Sequence, residues 1–135
     1  MSTGYSGTPL IQKLGIRQGY RVCVINQPDN YVELLGDLPS NVFVSPLDDG
    51  EFDFIHAFYL SAVDLREQFA ELKAALKSDG ILWISWVKKA SKVETDLNRE
   101  IVRETGLSGG LVDVKVGAID ATWSGLKFVY RTKDR

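Results

Sequence analysis

A chain of 135 residues with 44% hydrophobic side chains suits a single domain, residues 1–135, with one continuous core. Sixteen Lys and Arg against eighteen Asp and Glu give a formal charge of -2, without the positive excess that binding a phosphate backbone requires, so nucleic acid is not an expected partner. Cys23 is the one cysteine, which excludes an internal disulfide, and no Cys/His spacing suits zinc. The start, Met1 to Pro9, lacks the basic-then-apolar pattern of a signal peptide. No apolar run approaches the roughly 20 residues that span a bilayer. A cytoplasmic location without membrane contact is expected.

In chain order, residues 1–19 read as an arm and a short helix. Gly4 to Pro9 could lie over the domain with Tyr5 as an anchor. Thr8-Pro9 starts a helix carrying Leu10, Ile11 and Leu14, and Gly15 ends it. Arg21 to Asn26 reads as a buried strand, stopped by Pro28-Asp-Asn30. Asn30 and Glu33 form a capping-box pattern for a helix ending at Gly36. Val42 to Ser45 is a second strand, Pro46 to Gly50 a turn, and Phe52 to Phe58 a third strand.

Ser61 and Asp64 then cap a helix with Leu65, Phe69, Leu72 and Leu76 on one face, which Lys77 to Gly80 terminates. Ile81 to Trp86, the most apolar run, predicts a central strand. Thr95 or Asp96 caps the next helix, with Leu97, Ile101 and Val102, closed at Gly106. Leu111 to Asp120 and Gly125 to Arg131 are joined too closely for a crossover helix and must pair antiparallel. The order predicts a three-layer, Rossmann-like α/β fold with a mostly parallel sheet of about six strands, ending in an antiparallel hairpin.

From Phe52 onward the chain resembles the second half of a class I, S-adenosylmethionine-dependent methyltransferase. Phe52-Asp-Phe-Ile resembles that family's fourth strand, and Leu76-Lys-Ser-Asp-Gly-Ile-Leu82 its turn into the fifth. Thr105-Gly-Leu107 and Gly125-Leu-Lys-Phe-Val-Tyr130 resemble the closing segments. Nearly the whole chain is also similar to a small bacterial "domain of unknown function" family, number thirty fifty-two. The similarity lies in Gly4-Tyr-Ser-Gly-Thr-Pro-Leu10, Trp83-Ile-Ser-Trp-Val-Lys-Lys89 and Gly110 to Lys127. The resemblance implies a methyltransferase-like fold and transfers no catalytic residue. The family's glycine-rich turn after the first strand is replaced by Asn26-Gln-Pro-Asp-Asn30, without glycine, and the second strand ends near Ser45 without an acidic residue for a ribose.

In open parallel sheets ligands sit beyond the carboxyl ends of the strands. The candidate rim is Asn26 and Gln27 after the first strand, His56 and Tyr59 at the third, Ser85, Trp86 and Lys88 at the fourth, and Asp120 and Trp123 in the hairpin turn. His56 could serve as acid or base, or simply be a strand-end histidine satisfied by its neighbours. Cys23, mid-strand, reads as inert packing. Trp86, Trp123 and Tyr59 could stack on a planar ligand or anchor a protein. Lys88, Lys89 and Lys92 could hold an anion or form a solvated loop.

These features predict a non-catalytic module without a cofactor, binding a protein or small anionic ligand. The alternative is a minimal methyltransferase that holds S-adenosylmethionine by Asn26, Gln27, His56 and Tyr59. A homodimer through the hairpin's edge strand is a further expectation.

Overall fold

Alternation of side chains along the strands decides what meets on each face of the sheet. The computed structural model describes residues 9–135, so the expected Gly4 to Pro9 arm, apart from Pro9, and the Thr8 cap lie outside the described residues. Six strands are ordered β2-β1-β3-β4-β6-β5. They are β1 (Arg21–Ile25), β2 (Phe43–Val44), β3 (Phe52–Phe58), β4 (Leu76–Val87), β5 (Leu111–Ala118) and β6 (Trp123–Tyr130). The first four run parallel, and β6 pairs antiparallel with both β4 and β5. This is the expected α/β sheet with its terminal hairpin.

Helices α1 (Leu10–Leu14) and α2 (Tyr31–Leu35) lie on one face, packed with Val22, Phe54 and Trp83. Helices α3 (Ala62–Ala75) and α4 (Arg99–Ser108) cover the other, over Cys23, Ile55, Leu82, Ile84 and Trp86. The indole N–H of the fully buried Trp83 donates to the Leu14 carbonyl at 2.9 Å, which pins α1 to the sheet. Gly15 ends α1 at φ 92, the left-handed conformation that glycine adopts without a Cβ penalty.

Several boundaries differ from the sequence expectation. Lys77 to Gly80 belong to β4 as an irregular stretch, because Phe52 pairs with Leu76 while Phe54 pairs with Ile81. Helix α4 is capped by Asn98, whose carboxamide oxygen accepts from the Ile101 N–H at 2.9 Å. The Asp96 carboxylate accepts instead from the Ala62 N–H at 2.8 Å, and the Thr95 hydroxyl donates to the Leu60 carbonyl. Both therefore serve the start of α3, alongside Ser61, whose hydroxyl accepts from the Asp64 N–H. Asn30 makes no side-chain cap on α2. Strand β2 is only two residues long and lies beside Arg21 and Val22, so among the described residues no strand flanks Cys23–Ile25 on that side.

Helix α4 also runs past Gly106, which is buried where the helix crosses Phe128. A Cβ there would sit 2.0 Å from a Phe128 ring carbon. Gly106→Ala gains up to about 1 kcal/mol of helix propensity but forces overpacking that costs roughly 1–3 kcal/mol. Urea denaturation should show net destabilisation, and a more stable variant would contradict this packing.

Candidate functional site

The chain passes from β1 to β2 on one side, while β3 lies on the other, so the crevice between the carboxyl ends of β1 and β3 is the topological switch point. Asn26 opens the turn there at φ 57. Its short polar side chain tolerates the left-handed region, so the turn forms here without a glycine. The Asn26 carboxamide nitrogen donates to the Phe58 carbonyl at 3.0 Å, joining the two strand ends. Asn26, Gln27, Asp29 and Asn30 are all exposed. The Pro28 carbonyl accepts from the Tyr31 N–H at 3.0 Å and leads the chain into α2.

The far side of the rim gathers Lys88, Asp120 and Trp123. One carboxylate oxygen of Asp120 accepts from the N–H groups of Thr122 and Trp123, each at 2.8 Å, and the other lies 3.4 Å from the Asn30 carboxamide nitrogen. The Lys88 ammonium donates to the Asp120 carbonyl at 2.7 Å, and the Lys88 N–H to the Thr122 carbonyl at 2.7 Å. Lys88 is thus engaged in holding the hairpin turn against β4. Lys89 and Lys92 are exposed. Half-buried Trp123 meets Phe58 edge-on at 5.0 Å, next to Asn26's acceptor.

Four expected rim residues lie elsewhere. His56 and Ser85 are fully buried, and Tyr59 and Trp86 are nearly so. His56 and Ser85 point into the α1/α2 face, where the Tyr31 hydroxyl contacts His56 Nδ1 at 2.8 Å and His56 Nε2 contacts the Ser85 hydroxyl at 2.7 Å. Phe58 stacks on the imidazole at 4.1 Å. Desolvation pushes the His56 pKa down to about 3, so the ring is neutral and unsuited to proton transfer at neutral pH. Tyr59 turns toward α3 and donates to Gln68. Burial, then Glu71, raises its phenol pKa. Trp86 belongs to the α3/α4 core.

Cys23 pairs with Ile55, one residue out of phase with His56, and so faces the opposite side of the sheet. Burial pushes its thiol up to about 11, in keeping with inert packing. Sequence reading missed Asn30, Tyr31 and Phe58. The Tyr31, Leu34, Leu35 spacing on α2 was the available signal for Tyr31 as an inward residue.

Beyond the end of β4, Trp86, Lys89, Thr95, Asp96 and Asn98 line a cleft of about 410 Å³. Among the described residues no cluster of three His, Cys, Asp or Glu side chains could hold a metal, and no helix is long and apolar enough to cross a membrane.

No family model matches the chain, and no curated protein does. The resemblance to the domain-of-unknown-function family therefore rests on sequence motifs alone. Solved structures do match. A ribosomal protein methylase from Lactobacillus delbrueckii subsp. bulgaricus aligns over 90% of this chain and 75% of its own, with TM-score 0.59 and 13% identity. Magnesium protoporphyrin IX methyltransferase from Synechocystis, with bound S-adenosylhomocysteine, aligns over 90% and 78%, with TM-score 0.56 and 10% identity. A "possible exported protein" from Bordetella parapertussis aligns over 91% and 66%, with TM-score 0.66 and 11% identity.

The fold is that of the class I methyltransferases. This corrects the expectation of a non-catalytic module without a cofactor. The matching structures include methyltransferases with S-adenosylmethionine or S-adenosylhomocysteine bound, which favour the alternative reading over the module.

The buried imidazole sets a pH dependence. Its folded pKa, about 3, lies below the ordinary 6.5, so the folded state binds fewer protons and loses stability as pH falls from about 6.5 toward 3. His56→Gln should be less stable at neutral pH by roughly 1–3 kcal/mol. Its deficit should shrink by up to about 1.4 kcal/mol per pH unit below 6.5. Urea titrations across pH check this. A constant deficit, or an imidazole that titrates near 6.5 by NMR in the folded chain, would contradict it.

Proposed function

We propose that this chain is a minimal S-adenosylmethionine-dependent methyltransferase whose cofactor lies over the switch point between β1 and β3. The observation that carries this reading is Asn26, which holds the left-handed turn at φ 57 without glycine and bridges to the Phe58 carbonyl. The exposed turn offers donors and acceptors of suitable chemistry: the amides of Asn26 and Gln27, and the Asp29 carboxylate for an ammonium group. A carboxylate at the end of β2 is lacking, because β2 stops at Val44 beside Val22 and never reaches the rim. Binding therefore concentrates on the β1 turn.

When bound, the cofactor supplies an electrophilic methyl group on a sulfonium. The chain's own contribution is positioning. The turn is fixed at one end by β1 and at the other by Tyr31, whose hydroxyl is held by His56. The cleft beyond β4 gives an acceptor room beside β3's neighbour, with Lys89 exposed at its margin. His56 takes no part as a base, since both ring nitrogens are engaged below the rim.

Calorimetric titration with S-adenosylmethionine and S-adenosylhomocysteine tests the reading, with dissociation constants of roughly micromolar order expected. Asn26→Gly keeps the turn but removes the bridge to the Phe58 carbonyl, and should weaken binding only about two- to fivefold. Asn26→Val places a β-branched residue at positive φ and should weaken binding by about tenfold or more. No heat from either ligand, together with an unchanged melting temperature at millimolar concentration, would overturn the proposal.

A further inference from the structure

The β2 margin of the sheet carries an apolar surface that the described residues leave uncovered. Val32 is 69% exposed, Val44 61%, Phe43 60% and Leu38 44%. Phe43 alternates with Val44 and faces away, while the other three border an apolar groove of about 150 Å³, walled by Val32, Leu35 and Leu38 on one side and by Val22, Val24 and Val44 on the other. Its origin is topological. Strand β2 flanks only Arg21 and Val22, and the short link from Val44 to Phe52 has no room for a helix that would lie against α2. Apolar surface of this kind, gathered in one place, marks an interaction site more often than scattered exposed residues do.

The α2 lip of the groove carries charge of one sign. From Asp29 to Val44 the sequence has three carboxylates (Asp29, Glu33 and Asp37) and no Lys, Arg or His. All three are exposed. Glu33 and Asp37 sit beside wall residues Val32 and Leu38 in sequence, whereas the segment after Val44 turns to the opposite face, where Leu47 packs against the α3/α4 core and the Arg21 guanidinium donates to the Asp49 and Glu51 carbonyls. Two copies meeting face to face through this surface would bring six carboxylates together, a repulsion that no cation between Asp29 and Val44 offsets. A cationic occupant relieves it.

We infer that this groove docks an amphipathic helix of a partner protein, with an apolar stripe seated between α2 and β1–β2 and a Lys/Arg-rich flank against the acidic margin. Gln27 lies at the groove's upper end, so the docked helix abuts the turn proposed to hold the cofactor. The inference does not depend on the methyltransferase reading, and its test uses no cofactor.

The probe is a synthetic amphipathic helix with leucines on one face and lysines on the other, titrated into the methyl-labelled chain of 135 residues. Its charge-reversed twin carries glutamates in place of the lysines. Methyl shifts confined to Val22, Val24, Val32, Leu35, Leu38 and Val44 are expected with the basic peptide, with affinity that falls as salt rises. The acidic twin should bind at least about tenfold more weakly. Val32→Lys with Val44→Lys changes only exposed side chains and should abolish the shifts while leaving the melting temperature nearly unchanged. Val32→Ala with Val44→Ala serves as the milder control and should weaken binding without abolishing it. Equal binding of both peptides, shifts outside the groove, or no shifts would overturn the inference. So would a concentration-dependent dimer by light scattering that the double lysine variant dissociates, since that would give the groove to a second copy.

Discussion

A single buried chain of hydrogen bonds, Tyr31 to His56 to Ser85, ties α2 to the two central strands. It lies in the α1/α2 face among Phe54, Phe58 and Trp83. The low-dielectric surroundings make each of its bonds costly to break, because any one loss strands a buried polar group. The rim depends on it. The Asn26–Asn30 turn is suspended between the end of β1 and Tyr31, so what fixes Tyr31 fixes the turn. At the other end of the site Lys88, Asp120 and Asn30 close the same loop from the hairpin side. The exposed polar groups of the turn are thereby presented on a rigid base.

The fold was legible because the signals were local and mutually consistent. Apolar strand runs, helix starts at Thr8-Pro9 and Ser61, and a hairpin too tight for a crossover led to the same mixed sheet. What local pattern could not give was relative depth. His56 and Ser85 stand close to the strand ends in sequence, yet the turns and the α1–α2 layer rise above them, and burial converts apparent rim residues into core. Gly106 looked like a helix stop, although its lack of a Cβ serves contact with Phe128, some twenty residues away in sequence. Thr95 and Asp96 looked like caps for the following helix, but their partners lie on the preceding one.

Asn26 marks the boundary of sequence reasoning at the site itself. The absence of glycine from the turn argued against the fold's usual cofactor loop, yet asparagine can adopt a left-handed conformation and add a bridge to Phe58. The turn thus combines an asparagine in the left-handed region with a proline two residues on that offers no N–H. The shortened β2 is a deeper departure. It removes the expected carboxylate from the rim and opens the acidic, apolar margin beside α2. The shortness of β2 thus accounts for both the missing carboxylate at the rim and the uncovered groove.

The central claim is that the β1–β3 switch point holds the cofactor, and an amide-shift map of the isotopically labelled chain with S-adenosylhomocysteine tests it most directly. The account predicts saturable shifts centred on Asn26, Gln27, Asp29, Phe58 and Tyr59. Shifts scattered over the surface, or none at millimolar ligand, would contradict it.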